Sequence, residues 1–154
     1  MKTRAHEIQA SFRDLDWIAP LPDHFFHVTV RVTKELDVSA AARAWADVAP
    51  FSIHYRRANC FHDAVIVEAH AQGVMDLVRR GLPEGDLLLL LPHMTIGYVR
   101  RSEPPDRLRE ALRPFRDVDL GAGTAGEILL CEVPAGKSTF LRPWRLVGSV
   151  TLGG

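Results

Sequence analysis

Two short segments place a threonine two residues after a histidine: His27-Val28-Thr29 and His93-Met94-Thr95. Side chains alternate faces along a strand, so each histidine and its threonine would point the same way. In the first segment Phe26, Val28, Val30 and Val32 form one apolar face. Phe25, His27, Thr29 and Arg31 form the other. In the second, Met94, Ile96 and Tyr98 share the packed face, with His93, Thr95 and Gly97 opposite. Packing alone gives a strand no reason to repeat the same polar pair in the same phase.

The pair suits the opening of a cyclic phosphate. That reaction needs a base for the attacking hydroxyl or water and an acid for the leaving oxygen. An imidazole titrates near pH 6.5 and can play either part, each contributing about 10²–10⁴-fold in rate. The phosphate oxygens need fixed donors, and a β-branched threonine on a strand offers a hydroxyl with a stiff rotamer. The imidazoles carry the protons, so this chemistry calls for no metal and no cofactor. Which histidine is the base is open at this level. Arg31 lies in phase with His27 and could hold a phosphate oxygen pair. Tyr98 is out of phase with His93 and is expected to pack in the core.

Other candidates are weaker. His54, Cys60 and His62 could suggest a metal-dependent hydrolase, but their spacing matches no standard zinc pattern. Gly136-Lys137-Ser138-Thr139 resembles part of a phosphate loop, yet Cys131 stands where its first glycine belongs and no helix start follows. A hairpin turn is expected there. Nothing supports a serine nucleophile elbow. Arg56-Arg57 and Arg100-Arg101 could border the cleft and draw in anions, with plain exposed charge as the default reading. Trp17, Trp45 and Trp144 are expected to pack in the core or at lobe edges.

The elements that position the pair alternate helix and strand. Ala5, Ile8, Phe12 and Leu15 predict an amphipathic helix over 5–16, ended by Pro20 and Pro22. His24–Thr33 reads as a strand. Ser39–Val48 reads as a helix with Ser39 as cap, and Gln72–Arg80 as a second, closed by Gly81 and Pro83. Phe51–Arg57 and Asp63–Ala69 read as strands around a turn near Asn59. Leu87–Arg100 contains a strand starting near Pro92, and Pro104-Pro105-Asp106 opens a helix to about Phe115. Gly126–Val133 and Thr139–Val147 read as a hairpin around Pro134-Ala135-Gly136. From 27 to 93 is 66 residues, a lobe-sized repeat in which each histidine segment follows a helix and a proline turn.

The chain has 154 residues, 47% hydrophobic and 25% charged, which suits one globular domain, 1–154, built of two similar lobes. Lys+Arg and Asp+Glu are both 19. That balance argues against wrapping duplex DNA but leaves room for a nucleotide or an RNA end. Cys60 and Cys131 stand alone and are expected to be reduced and buried. No apolar run is long enough to span a bilayer, and MKTRAHEIQASFRD is too polar for a signal peptide. The expectation is a cytoplasmic monomer without a membrane partner.

The two motifs, His27-Val28-Thr29-Val30 and Pro92-His93-Met94-Thr95-Ile96-Gly97, resemble those of the 2H phosphoesterase superfamily, in particular its 2′-5′ RNA ligase/cyclic phosphodiesterase branch. The resemblance spans roughly residues 5–150. It implies an α+β fold of two lobes, with two antiparallel sheets facing a central cleft and helices outside. It also implies His27 and His93 as general acid and base, Thr29 and Thr95 on the phosphate, and metal-independent action on 2′,3′-cyclic phosphates or 2′-5′ RNA linkages. The first copy departs from the family pattern by lacking the strand before its helix. A protein of another class, a nucleotide or RNA-end sensor that binds without turnover, would keep the same cleft.

Overall fold

The spacing of Ala5, Ile8 and Phe12 sets the first helix. All three side chains are at most 1% exposed, one apolar stripe at helical period. In the computed structural model, which describes residues 1–32, 37–81, 91–101, 103–133 and 144–153, this helix is α1, Lys2–Ser11. It stops earlier than the 5–16 expected. Beyond Ser11 the backbone closes four-residue turns, Leu15 N–H to Phe12 O and Ile18 N–H to Leu15 O, so Leu15 is buried from a turn.

The chain divides into two units: 1–29, 53–71 and 90–123 in the first, 30–52, 72–89 and 124–154 in the second. The fold is α+β, with two antiparallel sheets. The first has five strands: β1 (Ile18–Pro20), β2 (Phe51–Cys60), β3 (Ala64–His70), β4 (His93–Val99) and β5 (Asp119–Ala125), in the order β1-β4-β3-β2-β5. Its core face carries Tyr55, Ala58, Val65, Val67, Ala69, Met94 and Ile96, all buried. α1 contacts β4 and also α4 (Asp106–Leu112), which buries Leu108 and Leu112.

The second unit holds α2 (Val38–Trp45), α3 (Gln72–Gly81) and a sheet of β6 (Glu127–Glu132) with β7 (Arg145–Thr151). Its core gathers Ala41, Trp45, Val48, Leu77, Ile128, Leu130, Val150 and Leu152. The Trp45 indole donates to Leu77 O at 2.9 Å. Asp37 caps α2, accepting from Ala40 N–H at 3.0 Å, in place of the expected Ser39.

The strand expected over His24–Thr33 does not form as one element. β1 pairs with β4 through Pro20↔Gly97, and Leu21 N–H donates to Ile96 O. Pro22 has no N–H with which to continue the ladder. The chain turns through a 3-10 segment, Asp23–Phe25, and touches the same edge of β4 again at Val28, opposite Met94. Gln9 on α1 spans the gap, donating to Leu21 O at 2.7 Å and Ile96 O at 2.8 Å. The sequence pattern does not announce β1 or β5; β1 is three residues long, and β5 is glycine-rich. The final hairpin pairs as expected, although β7 starts at Arg145. The turn near Pro134, Gly136-Lys137-Ser138-Thr139, Thr33 and residues 87–90 lie outside the described residues. Among the described residues no helix is long and apolar enough to cross a membrane.

Candidate active site

Both histidine motifs fall within the first unit. The repeat in the sequence suggests one motif per lobe. The difference arises because His27-Val28-Thr29 finds its β partner in β4 itself. In the antiparallel register set by Val28↔Met94, His27 lies opposite Thr95 and Thr29 opposite His93. Val28 and Met94 turn to one side, so the four polar side chains share the other. His27 and His93 are then diagonal neighbours, a relation that ordinarily spaces residues about 7–8 Å apart, somewhat less between Cβ atoms. A local twofold through the bridge exchanges the two motifs.

The imidazoles are held alike. His27 Nδ1 lies 2.6 Å from Phe25 O, and His93 Nδ1 lies 2.7 Å from Leu91 O. A carbonyl only accepts, so Nδ1 must be the donor in both rings. In the neutral form this puts the lone pair on Nε2. Each ring is therefore fixed by a carbonyl two residues upstream. Phe61 adds an edge-on contact to His93, with centroids 4.9 Å apart at 88°.

Burial lowers the His27 pKa below the ordinary histidine value. The bond to Phe25 O opposes that shift, and the nearby charge of His93 adds to it. The sign follows: a depressed histidine binds fewer protons folded than unfolded. Its stabilising contribution is present above the unfolded value of about 6.5 and is lost as pH falls through the folded value. An NMR titration should find the His27 midpoint below about 6.5; a midpoint above it would contradict the burial.

Thr95 is buried at 5% exposure, and Thr29 is half-buried. Thr95 hydrogen-bonds the Tyr98 hydroxyl, and burial chiefly raises the Tyr98 pKa. This corrects the expectation that Tyr98 packs in the core, out of phase with the site. The β3/β4 ladder runs Ile66↔Thr95 and then Val65↔Gly97, so β4 carries one extra residue at Ile96. A bulge shifts the alternation by one, bringing a residue three positions on to the same face. Gly97 suits the bulge, since a Cβ there would sit 3.2 Å from Ala19 O and 3.3 Å from the Phe12 ring.

Arg31 is exposed and belongs to the second unit, so it is not assigned to this group. The metal reading gains nothing: His54 bonds Asp119 at 2.8 Å, and no three His, Cys, Asp or Glu among the described residues are placed to hold an ion. Arg56, Arg57, Arg100 and Arg101 are exposed as expected, Arg101 engaging Asp16 and Glu103. Both cysteines are free and half-buried. Trp17 and Trp45 are buried, and Trp144 is half-buried. Sequence reasoning missed Phe61, Asn59 and Glu68 on the histidine face. A lone carboxylate in the apolar run Ala64–Ala69 was the available signal for Glu68.

Fold and site together define an α+β chain with a paired His-x-Thr face on a five-stranded antiparallel sheet. No family model matches the sequence, and no curated protein matches it. Among solved structures it resembles the crystal structure of TT0787 of Thermus thermophilus, with a TM-score of 0.74 and 17% identity over 99% of this chain and 91% of that one. At that identity the likeness concerns the fold.

Proposed function

We propose that this chain is a metal-independent phosphoesterase of the 2H type, opening 2′,3′-cyclic phosphates on nucleotides or RNA ends. The observation that carries the reading is the matched pair of imidazoles, each held at Nδ1 by the carbonyl two residues upstream, diagonal across Val28↔Met94. A phosphate between the diagonals meets an imidazole on each side and a threonine hydroxyl beside each. Action on 2′-5′ RNA linkages would use the same groups.

Half-buried His27, its pKa lowered by desolvation, is neutral at pH 7 and suits the base. In hydrolysis it takes a proton from water as the new P–O bond forms. The bond from phosphorus to one ribose oxygen breaks, and protonated His93 gives that oxygen its proton. The Tyr98 phenol stays protonated, and its hydrogen bond with Thr95 holds the Thr95 hydroxyl beside the phosphate. Thr29 serves the opposite side.

Hydrolysis of 2′,3′-cyclic nucleotides should therefore proceed undiminished in excess chelator. Turnover abolished by chelator and restored by a divalent ion would replace this reading with a metal hydrolase. Tight nucleotide binding without turnover would replace it with a sensor.

A further inference from the structure

Beside the two histidines the sheet buries a carboxylate. Glu68 is 7% exposed and, with Thr95, is one of two buried polar side chains among the described residues. The ladders place it opposite His93 on one side and Arg56 on the other, so it shares the histidine face. Its surroundings are ordered. Asn59 Oδ1 accepts from Cys60 N–H at 2.9 Å, which fixes the amide, and Nδ2 then donates to Glu68 Oε1 at 3.1 Å. His70 Nε2 lies 3.5 Å from Oε2. Next to them Arg57 is the extra residue of a β2 bulge, at φ 67°, with its N–H on Val118 O at 2.8 Å. That left-handed conformation is costly for a residue other than glycine. A cavity of about 260 Å³ opens at the bulge, lined by Arg57, Ala58, Asn59, Glu68, Arg116 and Asp117.

We propose that this cavity is the nucleobase subsite of the phosphoesterase and that Glu68 makes it select guanine. The proposal rests on the reading above, which places the phosphate at His27 and His93. One cross-strand step, about 4.5–5.5 Å, separates His93 from Glu68. In a 2′,3′-cyclic nucleotide a single sugar ring separates phosphate from base, so a base can reach the carboxylate. A buried carboxylate needs donors. Each oxygen has a second lone pair beyond its contact with Asn59 or His70. Among the four RNA bases guanine alone presents two adjacent donors, N1–H and N2–H, on its pairing edge. Adenine and cytosine would set a ring nitrogen acceptor against one oxygen, and uracil would set a carbonyl. The neighbouring guanine O6 can accept the Asn59 amide hydrogen not used by Glu68. Arg57 and Arg116 offer guanidinium planes on which a base can stack.

The test uses the wild-type chain and two readouts. Calorimetry compares binding of the four nucleoside 3′-monophosphates, which bind without turnover, and kcat/KM is compared for the four 2′,3′-cyclic nucleotides. Guanine should lead the other bases by about tenfold or more, the usual discrimination of a bidentate pair. In Glu68→Gln the guanine preference should fall towards one, because the amide sets its own donor against a guanine donor. Asn59→Ala gives a second variant if Glu68→Gln does not fold, and it should weaken the preference as well. Four bases within twofold of one another, with hydrolysis intact, would overturn the subsite and leave the phosphoesterase standing. A guanine preference untouched by both variants would place selectivity elsewhere and also overturn it. Neither binding nor turnover of any nucleotide would remove the phosphoesterase reading itself, and the subsite with it.

Discussion

His27→Ala and His93→Ala should each lower kcat/KM for a 2′,3′-cyclic nucleotide by about 10²–10⁴-fold, the usual contribution of one positioned acid or base. Both changes should leave the fold intact. Each ring is anchored to a carbonyl only two residues away, and both histidines are half-buried rather than core residues. The double variant should lose much less than the product of the single losses, because the proposed mechanism has the two groups act in one proton-transfer step. The acid limb of the wild-type kcat/KM profile should lie below about pH 6.5, reflecting neutral His27, and should vanish in His27→Ala. A variant of either histidine with full turnover would remove two-histidine catalysis. Circular dichroism of the variants separates lost chemistry from lost structure.

Phe12→Ala should destabilise the chain by about 3–5 kcal/mol, read as a fall in the urea midpoint at unchanged slope. Phe12 is 1% exposed, and its ring closes on the position where a Gly97 Cβ would stand. Its removal leaves a cavity under the β4 bulge, lined by groups that cannot collapse without moving β1. The cavity lies on the core face, opposite the histidines, yet the bulge above it sets where Tyr98 meets Thr95. Turnover should therefore fall before the protein unfolds. A loss of stability below about 1 kcal/mol would show that the site repacks and that Phe12 does not support the bulge.

The local pattern of this chain settled a good deal. The 3-4-3 spacing of Ala5, Ile8, Phe12 and Leu15 named four buried side chains, of which Ala5 and Ile8 lie on α1, but not where the helix stops. The apolar run Ala64–Ala69 and the alternation around His93 named two adjacent strands of the first sheet. The same alternation named four side chains, His27, Thr29, His93 and Thr95, that the β4 edge then brings together. These are readings of period, and a period is written in neighbouring residues.

What lay beyond the sequence was partnership. His27-Val28-Thr29 looked like a strand with a lobe of its own, but Pro22 ends the β1 ladder and the segment returns to the same edge of β4. Tyr98 looked out of phase because alternation assumes an unbroken ladder, and the bulge at Ile96 moves it by one. Glu68 gained its meaning only from the register that sets it opposite His93, with Asn59 turned towards it. Register and bulges are fixed by pairing between residues distant in the chain, where a slip of one position turns every side chain to the other face. The sequence by itself determined which residues could do the chemistry; the tertiary structure alone decided which of them meet.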